Sequence, residues 1–297
     1  MWLGFFGMVF VMLALDLGVF HKKSEVVSLK SALIWSCVWI AMALGFAWLV
    51  NVWFGPEKAI EFVTGYLIEK ALSVDNIFVF VIIFAAFSVQ PKYQHRVLFW
   101  GIFGALVMRI IFILAGSAFI EKFHWAIYLF GAVLIFTGFK LMLQKHGDSD
   151  PGNNIFVRLV RKIVPVTELH HGSKFFILEQ GRRFATPLFL ALVAIEATDV
   201  IFAVDSIPAI FAVTRDPFIV FTSNIFAILG LRSLYFLLAD IVDRFVYLKF
   251  GLSVILIFVG AKMTIVDYVK IPIPLSLAVI LGILTTSIVA SLYKTRK

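Results

Sequence analysis

Long runs of apolar residues dominate this chain, and short polar segments separate them. A membrane-spanning helix needs about 20 such residues to cross about 30 Å of hydrocarbon. Nine runs approach that length: 2–20, 31–53, 62–88, 97–119, 124–143, 184–211, 218–238, 250–266 and 273–292. The pattern predicts an all-α polytopic membrane protein with about nine transmembrane helices.

Composition supports this prediction. Hydrophobic residues make up 62% of the 297 residues, charged residues only 15%, and the mean hydropathy is +1.01. So little polar surface cannot cover a soluble globule of this length. The single cysteine, Cys37, excludes a disulfide within the chain, and we interpret it as a small core residue.

The formal charge of +8 follows a topological pattern. Seventeen Lys and Arg residues fall in connecting segments on one predicted side and four on the other. Cytoplasmic loops are enriched in these residues, which predicts an N-terminus outside and a C-terminus in the cytoplasm. The basic excess therefore indicates membrane orientation, and we expect no nucleic-acid partner.

The only long polar segment is residues 144–183. Gly181 between two apolar patches predicts a short hairpin, and Thr186 followed by Pro187 predicts the start of a helix. The adjacent His170 and His171 have no third ligand at suitable spacing, so we interpret them as solvated loop residues. We divide the chain into 1–61, 62–143 (first repeat), 144–183 (cytoplasmic loop), 184–266 (second repeat) and 267–297.

An internal repeat relates spans three to five to spans six to eight. "SVDNIFVF" at 73–80 aligns with "ATDVIFAV" at 197–204. The alignment pairs Asp75 with Asp199, Arg109 with Arg232, Gly138 with Gly260 and Lys140 with Lys262. Because three spans are an odd number, the copies cross the membrane in opposite senses. Inverted repeats of this kind place transporter substrate sites near mid-membrane, although a duplicated packing unit without transport is the alternative.

Several acidic residues lie within the predicted spans: Asp16, Glu69, Asp75, Glu196, Asp199 and Asp205. An aspartate at the centre of a spanning helix costs about 2.5–3.5 kcal/mol on insertion scales, so each needs a partner, an ion or water. Pro208 predicts a break in its helix beside Asp205 and Ser206, which would free backbone oxygen for a cation.

These oxygen-bearing residues predict a metal site between the two repeats. The candidate ligands are Asp75, Asn76, Asp199, Asp205, Glu69, Glu196 and Ser206, with Asp16 and Asn224 as weaker candidates. Oxygen ligands without thiol or imidazole favour magnesium, calcium or manganese. The alternative is internal salt bridging, in which Arg109 and Arg232 pair with carboxylates while Lys140 and Lys262 extend to the membrane surface.

"GYLIEKALSVDNIFVF" and "IEATDVIFAVDSIPAIFAVTRDPFIVFTSNIFAILGLRSLYF" closely resemble the TerC (tellurium-resistance, Alx-like) family, which is placed with the LysE-type transporters. The resemblance runs from "LDLGVFHK" to about residue 265. It implies a multi-pass protein of the bacterial inner membrane that exports manganese(II), with no tightly bound cofactor. Its acidic membrane residues would match Asp75, Asn76, Asp199 and Asp205.

We therefore hypothesise a divalent cation transporter, most simply a manganese exporter, in which protons compete with the metal for the carboxylates. Two alternatives remain. An intramembrane aspartyl enzyme would use paired aspartates that share a proton. A membrane scaffold of a stress complex linked to tellurite resistance would use the 144–183 loop as its contact surface.

Overall fold

The computed structural model describes residues 2–20, 28–123, 125–143, 155–167, 172–179, 181–239 and 247–295. Helices dominate this part of the chain, with one two-stranded hairpin. They are α1 (Trp2–Phe20), α2 (Leu29–Phe54), α3 (Pro56–Ala86), α4 (Pro91–Lys122), α5 (Ala126–Leu143), α6 (Ile155–Ile163), β1 (Phe176–Glu179), β2 (Arg182–Ala185), α7 (Pro187–Phe211), α8 (Pro217–Leu229), α9 (Leu231–Leu238), α10 (Leu248–Thr264) and α11 (Ile273–Thr295).

The helices confirm an all-α multi-pass membrane protein. Among the described residues, α2, α4, α5, α7 and α11 are long and apolar enough to cross a membrane, and the bent pair α8–α9 makes a sixth candidate. The other predicted runs correspond to α1, to α3 with its several charged residues, and to α10, which has only 17 residues. The count of nine spans and the inverted repeat remain predictions.

The helix break lies at a different place from the one predicted. Helix α7 continues through Pro208 to Phe211, so the predicted break beside Asp205 is wrong. The predicted run 218–238 instead bends by about 40° at Gly230, between α8 and α9. Pro208 still removes one backbone hydrogen bond, the one to the Val204 carbonyl oxygen, but α7 continues to Phe211 without it.

The polar loop contains the predicted hairpin. Strands β1 and β2 pair antiparallel, with Phe176 opposite Ala185 and Glu179 opposite Arg182. Gly181 has φ +76°, a left-handed conformation that glycine adopts without strain. Thr186 is the N-cap of α7 and Pro187 its first residue, as predicted. His170 and His171 lie outside the described residues.

An aromatic core holds α3 against α8. The ring centroid of Phe46 on α2 lies 4.9 Å from that of Phe226 on α8 and 5.3 Å from that of Phe62 on α3. Phe5 of α1 joins the cluster at 5.5 Å from Phe46. Cys37 faces outward on α2, so its predicted place in the core is wrong.

Helices α5 and α10 pack closely through glycines. A Cβ atom on Gly131 would lie 2.9 Å from the Gly260 carbonyl oxygen, and one on Gly260 would lie 2.7 Å from the Gly131 carbonyl oxygen. Gly138 meets the Ser253 carbonyl oxygen at 2.8 Å in the same way. Small residues allow two membrane helices to approach this closely, which increases dispersion contacts. We call this contact the glycine interface.

Candidate functional site

A buried arginine lies where α3, α4, α7 and α8 meet. Arg109 Nη1 donates to Glu69 Oε1 at 2.5 Å, Ser206 Oγ at 3.1 Å and Asn224 Oδ1 at 3.1 Å. Its Nη2 donates to Asp199 Oδ1 at 3.3 Å. Asn224 Nδ2 in turn donates to Glu69 Oε2 at 3.1 Å. We call these five residues the Arg109 cluster.

The cluster is almost completely enclosed by protein. Arg109 is 1% exposed, and Glu69 and Asn224 are fully buried. A charge can be buried in this way only if opposite charges and hydrogen bonds replace its hydration. The planar guanidinium suits this task because it donates in several directions at once. Each of the four helices contributes at least one of the five side chains.

Two acceptor oxygens of predicted ligands lack a hydrogen-bond partner among the described residues. They are Asp199 Oδ2 and Asn76 Oδ1, and both side chains are buried. A buried acceptor without a partner costs about 1–3 kcal/mol, so each of these oxygens is available to water or an ion. The hydroxyl of Tyr66, one turn before Glu69, also lacks a partner there.

Glu196 lies beside the cluster, one turn before Asp199 on α7. It is half-buried, and its carboxylate packs against Gly104 of α4. A Cβ atom on Gly104 would lie 2.0 Å from Glu196 Oε1, so glycine at this position makes room for the carboxylate. The α4–α7 interface therefore holds a further acidic group near the Arg109 cluster.

Lys70 binds at the break between α8 and α9. Its Nζ donates to the Ala227 carbonyl oxygen at 3.2 Å. A Cβ atom on Gly230 would lie 2.7 Å from this Nζ and 3.2 Å from Cβ of Trp39. The break exposes helix carbonyl groups that the next turn no longer satisfies, and the ammonium group compensates for one of them.

A second polar contact joins α3 to the α7–α8 connection. Glu61 Oε2 accepts from Lys58 Nζ at 2.8 Å and from Thr214 Oγ1 at 2.5 Å. Lys58 also lies 3.7 Å from Asp216, whose carboxylate caps α8 by accepting from the Phe218 backbone N–H. These contacts hold the first turns of α3 to the start of α8.

The structure brings some of the predicted ligands together. Glu69, Asp199 and Ser206 meet at Arg109, and the weaker candidate Asn224 joins them. Among the described side chains, no three His, Cys, Asp or Glu groups converge as metal ligands do. Asn76 is buried on α3, and Glu196 lies beside the cluster. Asp75 and Asp205 belong to α3 and α7, but their side chains, like that of Asp16, lie outside the described set.

Salt bridging by Arg109, the alternative weighed from the sequence, is confirmed. Sequence reasoning had Arg109 and Arg232 pair with carboxylates to hold the two halves together, but it did not identify Glu69 and Asp199 as the two partners of Arg109. It also missed Lys70 and the break at Gly230. A lysine directly after a buried glutamate, and a glycine at the centre of an apolar run, were the signals available.

Comparison with known proteins identifies the family. Residues 54–297 match the sequence profile described as "Integral membrane protein TerC family". An uncharacterized membrane protein of Myxococcus xanthus is 58% identical, and the alignment covers 100% of this chain and 93% of that protein. A Salmonella typhi protein named "Putative membrane-bound redox modulator Alx" is 48% identical over 97% of this chain and 92% of its own length.

A Rickettsia bellii membrane protein is 45% identical over 99% of this chain and 97% of its own length. No solved structure gives a significant match. These relatives are described as membrane proteins. The family profile covers most of the chain, and its relatives align along nearly all of it. The chain therefore belongs to the TerC family of integral membrane proteins.

Proposed function

We propose that this protein transports a divalent metal cation across the bacterial inner membrane, and that manganese(II) exported from the cytoplasm is its cargo. The Arg109 cluster supports this proposal most directly. Carboxylates from α3 and α7 meet there, together with an amide and a hydroxyl group, in a buried place where charge is costly. Charges buried in spanning helices are typical of ion pathways.

The chemistry of these groups suits a hard cation. Glu69, Asp199, Asn224 and Ser206 present only oxygen atoms to the centre, and oxygen sets favour manganese, magnesium or calcium over zinc or copper. Asp199 Oδ2 and Asn76 Oδ1, which have no hydrogen-bond partner in the described part of the chain, could bind a ligand as well. Under this proposal Asp75, Asp205 and Glu196 supply the remaining carboxylates along the path.

The proposed transport cycle uses the predicted inverted repeat. The ion enters between α3–α5 and α7–α10, exchanges most of its water for protein oxygen atoms, and leaves after the two units tilt against each other. Protons that compete for the carboxylates promote release on the far side. The TerC resemblance supplies the ion and the direction of movement.

A scaffold function is the competing candidate, and a specific feature favours it. The described part of the predicted cytoplasmic loop is bonded to the segment that leads into α7: Thr167 N donates to the Ala185 carbonyl oxygen at 2.9 Å, and Thr186 Oγ1 donates to that of Lys174 at 2.8 Å. An ordered loop of this kind can serve as a docking surface. The redox modulation in the relative's name also fits such a role, although the single cysteine gives no dithiol within one chain.

Metal content of cells tests the proposal. Cells that express the wild type should contain less manganese than control cells across a series of external manganese concentrations. Asp199→Asn and Glu69→Gln should abolish this difference, whereas Gly282→Ala, with nothing within 4 Å of the added methyl group, should preserve it.

Wild-type manganese content equal to that of control cells would refute export. Full export by both carboxylate variants would refute the proposed site. The scaffold would be favoured by two results together: deletion of residues 155–167 abolishes tellurite resistance, and the carboxylate variants leave the metal content unaffected.

A further inference from the structure

The hydrogen bonds of Arg109 do not match the donors that a guanidinium offers. Nη1 carries two N–H groups, yet three oxygen atoms lie 2.5–3.1 Å from it: Glu69 Oε1, Ser206 Oγ and Asn224 Oδ1. Meanwhile Arg109 Nε has no acceptor among the described residues. One nitrogen therefore has more acceptors than it can serve, and another has none.

A spherical cation would fit the same oxygens better. It has no directional donors, so a carboxylate, a hydroxyl and an amide oxygen can all coordinate it at once. Asp199 Oδ2, which lacks a partner among the described residues, offers a further oxygen at the edge of the set. The oxygen atoms converge on a point, and in this structure that point is occupied by Arg109 Nη1.

Charge makes the two occupants mutually exclusive. When ionised, Glu69 and Asp199 together carry two negative charges, and one guanidinium balances them in part. A divalent ion added beside Arg109 would place three positive charges against two negative ones in a buried site. Two like unit charges about 4 Å apart repel by roughly 4 kcal/mol even at an effective dielectric constant of 20, and the double charge of the ion doubles this repulsion.

We propose that Arg109 is a tethered competitor of the transported cation: its guanidinium takes the place of the ion in the unloaded protein and leaves the oxygens when the ion binds. This inference rests on the proposed transport function and deepens it. In the unloaded state Arg109 limits the repulsion between Glu69 and Asp199. The two units can therefore tilt back to their starting position without a bound ion. It also weakens the apparent affinity for the ion, which favours release.

Equilibrium binding of manganese to the purified full-length protein tests this inference. Free manganese(II) gives an electron paramagnetic resonance signal that is lost on binding, so a titration yields the dissociation constant. Arg109→Gln should bind manganese roughly tenfold or more tightly than the wild type, because the competing charge is gone. The same variant should transport more slowly, because the ion no longer has a competitor that helps to displace it.

Two further variants keep the test decisive. Arg109→Lys retains the charge without the planar fork, so its affinity should fall between those of the wild type and Arg109→Gln. It serves as the test if Arg109→Gln does not fold. Arg232→Gln removes an equally buried arginine from α9 and should not tighten binding.

The possible outcomes distinguish failure of the competitor proposal from failure of the transport proposal. Binding by the wild type with equal or weaker affinity in the Arg109 variants would overturn the competitor and leave the transport proposal standing. Absence of binding in the wild type and in every variant would overturn both. Tighter binding in Arg232→Gln as well as Arg109→Gln would assign the effect to net charge and overturn the specific competition.

Discussion

Two contacts between α3–α5 and α7–α10 are built on opposite principles. The glycine interface joins α5 to α10 through backbone approach, with carbonyl oxygens less than 3 Å from where a Cβ atom would lie. The Arg109 cluster joins α3 and α4 to α7 and α8 through charges and hydrogen bonds. The glycine interface is complementary in shape and has little polarity. The Arg109 cluster is polar, and the donors of the guanidinium do not match the acceptors around them one to one.

The difference suggests a division of labour. Close packing is either formed or lost, because a gap of 1 Å already removes much of the dispersion energy. A polar cluster can exchange one partner for another, since the same oxygen atoms can bind a guanidinium, a proton or a metal. We therefore expect the glycine interface to remain intact while the Arg109 cluster rearranges.

Removing one charge from the Arg109 cluster should have the largest effect on stability. Glu69→Leu leaves Arg109 buried with one carboxylate, and breaking a buried ion pair in this way costs about 3–5 kcal/mol. Thermal unfolding of the purified protein should show a large fall in melting temperature. Glu57→Leu, an exposed acid in the first turn of the same helix, should leave it almost unchanged. Equal melting temperatures for the two variants would show that the cluster is not a stabilising ion pair.

A larger side chain at the glycine interface should have the next largest effect. Gly260→Val places atoms within 3 Å of the Gly131 carbonyl oxygen and of Ile135, and overpacking of this kind costs about 1–3 kcal/mol. Gly282→Val has the same effect on helix propensity but nothing within 4 Å of its Cβ atom. The difference in melting temperature between these two variants measures how much the close packing of α5 against α10 contributes to stability. No difference would mean that α5 and α10 separate freely.

Loss of the lysine at the helix break should cost less. Lys70→Met removes the donor to the Ala227 carbonyl oxygen, and hydrogen bonds from charged groups contribute about 1.5–3 kcal/mol before the gain from no longer burying the ammonium group. We expect a net loss of about 1 kcal/mol in thermal unfolding. Gly230→Ala should cost less in the Lys70→Met background than in the wild type, because the methyl group no longer meets Nζ. If the effects of Lys70→Met and Gly230→Ala on stability simply add, the contact between Lys70 and Gly230 is contradicted.

Gly104→Ala should have the smallest effect on stability but should reduce transport. Gly104→Ala pushes aside the terminal carboxylate of Glu196, which can move at little cost because its side chain is flexible. The melting temperature should stay nearly constant while manganese flux falls. Gly282→Ala is the matched control for both measurements. Unchanged flux in Gly104→Ala would remove Glu196 from the ion path.

The sequence was most informative where its patterns are periodic and long. Apolar runs predicted the helices, and the Gly181 turn and the Thr186-Pro187 start were visible in single residues because their backbone geometry is so specific. The break was misplaced, since a proline can remove one backbone hydrogen bond without ending its helix, and Gly230 gives a weaker local signal. Only tertiary contacts with Lys70 and Trp39 reveal why a glycine is needed there.

The sequence predicted some residues of the Arg109 cluster but not how they are arranged. Buried acids in apolar helices identified Glu69 and Asp199, because charge there demands a partner. The sequence did not specify which base would meet which acid, since Arg109 lies 40 residues from Glu69 and 90 from Asp199. Asn224 gave no charge signal, and its role follows from its position opposite Glu69 on α8.

Manganese flux into or out of sealed proteoliposomes tests the central claim most directly. Wild-type protein should move manganese down its gradient, Asp199→Asn should reduce the initial rate at least tenfold, and Gly282→Ala should match the wild type. Equal rates for Asp199→Asn and the wild type, with both proteins folded and inserted to the same extent, would contradict a cation site at the Arg109 cluster.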